Sequence, residues 1–270
     1  MPTPPPTGPL VTRDTIAGGL RDLGVRPGET LLVHSSLSSL GWVCGGQVAV
    51  VQALLEVLGP DGTLVVPTHS GDLSDPARWS RPPVPEEWWD TIRATMPAYD
   101  PRVSPSYGVG VIPETVRTWP GALRSAHPDG SFAAIGPRAA EVVDGHAPDC
   151  RFGERSPLAR LETLGARVLM LGAGYGSCTC FHLAEYRIPA PLAQEGRPGP
   201  HGWEVVTEVS ITSERFDELG HDFERDRPVV RGSVGAAPSR LFPLADAVAY
   251  AERWLAVHRP REDDFPHPAA

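Results

Sequence analysis

The chain has 270 residues, 41% of them hydrophobic and 21% charged, with a formal net charge of −9, and its 24 Lys and Arg positions are all arginine. This is globular composition without the lysine of a P-loop or a Schiff base and without the basic surface that nucleic-acid phosphates require. No apolar run reaches the ~18 residues of a membrane span, and four cysteines make no disulfide framework in a chain of this size.

Residues 1–11 carry neither a basic n-region nor an apolar h-region, so they read as a flexible Pro-rich arm rather than a secretory signal. A reducing cytoplasm is the expected location. Thr12 to Leu23 has helical spacing, and Gly24 can end it. Thr30–His34 reads as a buried strand. The polar loop Ser35–Trp42 follows, then Gly45-Gly46 and a helix over Gln47–Leu58. Thr63–Pro67 is a second strand, and strand, helix, strand with short links predicts a parallel crossover. Residues 69–107 show little periodicity, as long functional loops do. Helices are expected near Ile112–Thr118, Pro137–Val143 and Ser156–Leu164, and strands at Ser131–Ile135 and Arg167–Leu171. The latter runs through Gly172–Ser177 into a helix from Thr179 to Arg187. A strand at Trp203–Ile211, an acidic helix at Glu214–Arg225 and a closing helix at Pro243–His258 complete the pattern. The fold class is α/β: one domain over 12–258, with a three-layer core whose central mixed, largely parallel sheet is flanked by helices. A charged tail over 259–270 follows.

The stretch GYGSCTCFHLAEYR at 174–187 admits three readings. Cys178, Cys180 and His182 have C-x-C-x-H spacing, but structural zinc uses C-x₂₋₄-C pairs and a fourth ligand. Cys44 and Cys150 stand alone in the sequence. On a helix, residues two apart point about 200° from each other, which turns Cys180 away from Cys178 and His182. No metal is expected. Cys178, after a glycine turn and four residues before His182, is a possible nucleophile or a small buried apolar residue. Thr179, His182 and Glu185 share one helical face. A neutral imidazole suits proton removal, and a carboxylate can hold its tautomer; the bland reading is a helix whose His and Glu merely touch solvent. G-x-S-x-G and H-E-x-x-H are absent, and Ser177 breaks G-x-G-x-x-G. The loop HSSLSSLG at 34–41 lies beyond a strand's carboxyl end, where α/β folds bind ligands. Its hydroxyls and N–H groups, near the helix after Gly46, suit a pyrophosphate or make an ordinary polar turn.

Several ordered segments together resemble one family. They are Leu31–Leu37, Leu58–Thr68, Arg124–Ala134, Ser156–Arg160 and Leu171–Tyr175 with Thr179–Glu185, joined by Ser70–Trp79, Pro85–Asp90 and Met96–Asp100. In this order they resemble the aminoglycoside 3-N-acetyltransferases that use acetyl-CoA, over most of residues 12–258. The resemblance implies an antibiotic N-acetyltransferase-like fold, distinct from the common small acetyltransferase fold. It implies transfer of acetyl from acetyl-CoA to the 3-amino group of a 2-deoxystreptamine aminoglycoside antibiotic, an antibiotic-resistance activity. An acyl-CoA N-acyltransferase acting on another amine, such as a biosynthetic intermediate, is the alternative, and a binder that sequesters cationic drugs is a third reading. The family's histidine and glutamate map onto His182 and Glu185, and its CoA-binding loop maps onto His34, Ser35, Ser36, Leu37 and Ser38. Cys178 stands where the family usually has Asn, and His69 where it often has Gln.

The mechanism expected is direct transfer. His182 takes the amine proton, Glu185 orients it, and Thr179 with N–H groups at the helix start stabilises the oxyanion. Carboxylates facing a polycation are expected to set specificity. Those nominated are Asp72, Asp75 and Glu87 on the irregular segment and Asp217, Glu218, Asp222 and Glu224 on the acidic helix, with Trp79 walling the sugar rings. The competing reading is a solvated charged face. The protein is expected to act as a monomer or homodimer, with no nucleic-acid or membrane partner.

Overall fold

A computed structural model describes residues 8–80 and 82–259. The expectations for residues 1–7 and 260–270 lie outside the described residues.

Strands β1 (Thr30–Ser35), β2 (Thr63–Pro67), β3 (Leu123–Arg124), β4 (Phe132–Ile135) and β5 (Arg167–Leu171) are followed by the hairpin β6 (Leu192–Gly199) and β7 (Gly202–Val209), then β8 (Val230–Val234) and β9 (Ala237–Pro243). The main sheet has the order β3-β4-β2-β1-β5-β9-β8. Its centre, β2-β1-β5, is parallel, and every flanking pair is antiparallel. Parallel pairing is therefore confined to the three strands that are buried on both faces and read as continuous apolar runs.

Side chains alternate across this sheet. Leu32, Val65, Val168 and Met170 face one apolar cluster. That cluster includes helices α5 (Ala139–Val143), α6 (Pro157–Thr163), α7 (Phe181–Glu185), α8 (Phe216–Asp226) and α9 (Leu244–His258). Leu31, Val33, Leu64 and Leu169 face the other, built with α1 (Arg13–Asp22), α2 (Gly46–Leu58) and α4 (Val111–Arg117). The three-layer α/β core is thus present. Local chemistry sets the helix starts. Thr12 and Thr15 form a reciprocal capping box at α1, and Ser156 caps α6 with Pro157 at its first position. Val11, assigned to the N-terminal arm by composition, is 2% exposed and bridges to Val43.

Three expectations needed correction. The helix expected over Thr179–Arg187 is shorter, Phe181–Glu185. The N–H groups of Phe181, His182 and Leu183 each bond the carbonyl three residues back, a tighter turn than an α-helix. The irregular segment 69–107 contains α3 (Trp89–Thr95) and a bridge between Ser70 and Tyr107. Strands β6, β8 and β9 carried no recognisable signal; β9, APSRLFP, is broken by proline and arginine, and its place is supplied by pairing with β5.

Candidate active site

The loops after β1, β2 and β5 meet at the carboxyl ends of the three parallel strands, because Ser35 is in register with Leu171. A cavity of about 950 Å³ opens there. All five residues of the Ser-rich loop, His34, Ser35, Ser36, Leu37 and Ser38, line it, together with Thr179 and His182. Gly172 makes this junction possible: its φ of 68° suits glycine, and a Cβ there would lie 2.6 Å from Ser39 Cβ. The close approach lets the Ser39 hydroxyl donate to Gly172 O (3.1 Å) while Ser36 Oγ lies 2.9 Å from it.

His182 Nδ1 lies 2.5 Å from Glu185 Oε2. A carboxylate only accepts, so Nδ1 carries the proton and Nε2 keeps its lone pair. Glu185 is fully buried behind the cavity wall and also accepts from the Thr212 N–H (3.1 Å). Phe152 stacks on the imidazole at 5.1 Å, and Phe216 packs against it, tilted, at 4.7 Å. Among the described residues the Thr179 hydroxyl makes no side-chain hydrogen bond, and the N–H groups of residues 181–183 are spent on carbonyls. Of the backbone donors expected to help with an oxyanion, the N–H groups of Thr179 and Cys180 bond no backbone carbonyl among the described residues.

Sequence reasoning missed four cavity residues as site members: His69, Asp129, Arg151 and Phe152. Burial pushes the His34 imidazole down to about 3, with His69 and His182 nearby adding to the effect. Burial likewise pushes His69 down to about 3, with Arg151 and His182 contributing. Both rings are therefore neutral at physiological pH. His34 Nε2 and Ser35 Oγ are buried without a hydrogen-bond partner among the described residues. A polar ligand on this loop would satisfy them.

The cysteine geometry also differs from expectation. Cys178 and Cys180 precede the helix, so the 200° argument does not apply, and their sulfurs meet at 3.5 Å. Both are fully buried. Among the described residues no three His, Cys, Asp or Glu side chains gather as metal ligands.

None of the eight residues nominated for a polycation lines the cavity. The reason is the chain's own arginines and backbone. Asp75 pairs with Arg93 (2.8 Å), Glu218 with Arg215 (2.5 Å) and Glu224 with Arg240 (2.9 Å). Asp222 pairs with Arg225 (2.7 Å) and accepts from Trp254 Nε1 (2.8 Å). Trp79 donates to Ser74, and Glu87 is exposed on a short 3₁₀ turn. Two lie just behind the lining. Asp217 accepts the N–H of the lining residue Gly176 (2.8 Å), and burial raises the Asp72 carboxyl above its usual range, with Asp129 adding to the rise. Asp129 is the lining carboxylate among the described residues, and it pairs with Arg151 at 2.7 Å.

A profile of the aminoglycoside 3-N-acetyltransferase family matches residues 32–256. The chain belongs to this family. It is 46% identical over 253 residues to the SPbeta prophage-derived aminoglycoside N(3')-acetyltransferase-like protein YokD of Bacillus subtilis (strain 168), covering 90% of this chain and 92% of YokD. The YokD crystal structure superposes with a TM-score of 0.91 at 44% identity, over 93% of this chain and 96% of that one. AAC-VIa bound to sisomicin matches with a TM-score of 0.80 at 33% identity, over 92% and 98% of the two chains. AAC-IIIb in its binary complex with CoASH matches with a TM-score of 0.78 at 31% identity, over 97% and 100%. The family's fold is therefore the α/β sheet described above. No helix among the described residues is long and apolar enough to cross a membrane.

Proposed function

We propose that this family member transfers acetyl from acetyl-CoA to the 3-amino group of a 2-deoxystreptamine aminoglycoside, with His182 as general base. The observation that carries the reading is the His182–Glu185 pair opening onto the same cavity as the Ser-rich loop. Acetyl-CoA supplies an activated thioester. Ser35, Ser36 and Ser38, with the start of the 13-residue helix α2, would hold its pyrophosphate. The CoASH complex of AAC-IIIb supports that ligand class.

The chain's part in the reaction follows from the geometry. Glu185 fixes Nδ1–H, which leaves Nε2 of His182 to take the proton of the attacking amine. Thr179 donates its hydroxyl where negative charge grows on the carbonyl oxygen. A C–N bond forms, the C–S bond breaks, and the proton held by His182 can pass to the departing thiolate. Neutral His34 and His69 add no positive charge against an ammonium acceptor. Asp129, with Asp72 and Asp217 behind the lining, supplies the carboxylate side of the cavity.

One observation favours a second reading, acyl transfer to a different amine. The cavity's lining carboxylate is already paired with Arg151, and the acidic helix neutralises itself. An acceptor with fewer charges than an aminoglycoside fits that wall. The test is release of free CoA from acetyl-CoA across aminoglycosides and simple mono- and diamines, with wild type and His182→Ala. Turnover of aminoglycosides that His182→Ala abolishes supports the first reading, and turnover of the small amines alone supports the second. Binding without CoA release would sink both and leave a sequestering protein. Undiminished turnover by His182→Ala would remove the base assignment.

A further inference from the structure

Glu185 is the best-buried carboxylate of the site, at 0% exposure. His182 and the Thr212 N–H reach it, and neither is a fixed charge. The remaining charged neighbour among the described residues is Arg259, whose NH1 lies 3.2 Å from Glu185 Oε1 as an ion-pair contact without hydrogen-bond alignment. We propose that Arg259 is a positioning residue: its guanidinium is the counter-charge that holds the Glu185 carboxylate in place, and so holds the His182 tautomer with Nε2 toward the cavity. The inference rests on His182 acting as the base.

Physical grounds are straightforward. Burial disfavours a carboxylate that lacks a counter-charge. Arg259 is the cation in ion-pair contact with Glu185 among the described residues, and its side chain is only 8% exposed. A guanidinium cannot lose its proton at ordinary pH, so the counter-charge is permanent. Glu185 is also its one acidic partner among the described residues, since its NH2 donates to the Ser210 carbonyl at 2.5 Å.

The fold builds this contact deliberately. Arg259 follows the last residue of α9, and its N–H closes that helix on Leu255 O (2.8 Å). Arg215 pins the same end by donating to His258 O (2.5 Å) and lying over the Trp254 ring at 5.0 Å. Trp254 stacks on His258 at 4.2 Å. An arginine that merely ended a helix could stay in solvent; this one is folded inward, bonding the Ser210 carbonyl and bringing its charge to the carboxylate that holds the base.

The test uses the whole chain with Arg259→Met, which keeps length and volume but removes charge. An imidazole N–H bonded to a carboxylate gives a far-downfield proton resonance without any substrate, and its loss in His182→Ala assigns it. We expect Arg259→Met to lose or shift that resonance. With any amine the enzyme turns over, kcat should fall about 10- to 100-fold while KM for acetyl-CoA stays within about twofold. Added guanidinium should restore part of the rate, and Arg259→Met should cost little more in a Glu185→Gln background. A folded Arg259→Met protein with an unchanged resonance overturns the inference. Should that variant lose its cooperative melt, Arg259→Gln replaces it, with the same expected and overturning results. The two failures are separable: normal turnover by His182→Ala removes the base reading, whereas an unchanged resonance in the arginine variant removes this inference alone.

Discussion

Phe152 and His182 stack with ring centroids 5.1 Å apart and planes 13° from parallel. Phe152 also packs against His69 at 5.2 Å, so one phenyl ring sets the plane of the proposed base and walls it from the second cavity imidazole. Phe152→Leu keeps the apolar volume but frees the imidazole to tilt. We expect kcat to fall about tenfold with KM for acetyl-CoA nearly unchanged, since small misplacements at a reacting centre are costly. Steady-state kinetics with both substrates varied checks this; an unchanged kcat means the stacking is only packing.

Thr179 offers a side-chain hydroxyl to the oxyanion, beside its own N–H and that of Cys180, which bond no backbone carbonyl among the described residues. Thr179→Val should lower kcat by about 10²–10³, whereas Thr179→Ser should stay within about tenfold. Equal rates in the two variants would assign the charge to another donor.

His34 and His69 predict an acid weakness. Their folded-state values sit near 3, below the ordinary 6.5 expected of the unfolded chain. Between those limits the unfolded state binds more protons, so stability is full above about pH 6.5 and is lost as pH falls toward 3. Ordinary carboxylates titrate near 4, so the span from about 6.5 to 5 isolates the histidines. Urea midpoints should drop across that span in wild type and drop less in His69→Gln. Parallel curves for the two proteins would contradict the assignment.

The four cysteines should separate by access. Cys44 is exposed, and Cys150, Cys178 and Cys180 are buried. One thiol should therefore react quickly with a disulfide reagent in the native protein, and all four after unfolding. Cys178→Ala should keep activity within about threefold, because direct transfer needs no acyl-cysteine. Loss of activity with a trapped acetyl-cysteine in wild type would point to a two-step route.

What could be read from sequence follows from where the information is local. β1, β2 and β5 are apolar runs bounded by turn residues, and both the Ser-rich loop and the Thr179-His182-Glu185 face have a fixed spacing along the chain. β9 and β6 lack such runs; each exists because a partner strand pairs with it. His69, Asp129 and the adjacent pair Arg151-Phe152 stand in three separate loops, gathered only when the sheet forms. The acidic helix misled for a legible reason. Arg215–Glu218 and Asp222–Arg225 sit three apart, and that spacing already marks internal neutralisation rather than a surface awaiting a polycation. Arg259 carried no signal at all: it stands in a stretch whose composition suggests a loose tail.

The dependence of Glu185 on Arg259, and of β5 on β9, gives the protein a strict order of arrival. Domains begin to fold during synthesis from the N-terminal end. Here the partner of the central strand comes from residues 237–243, and the counter-charge of the dyad from residue 259. A ribosome that stalls after α8 therefore releases a fragment whose sheet ends at β5 and whose buried glutamate has no cation. Nascent chains of this protein acquire the whole site only as their last helix emerges.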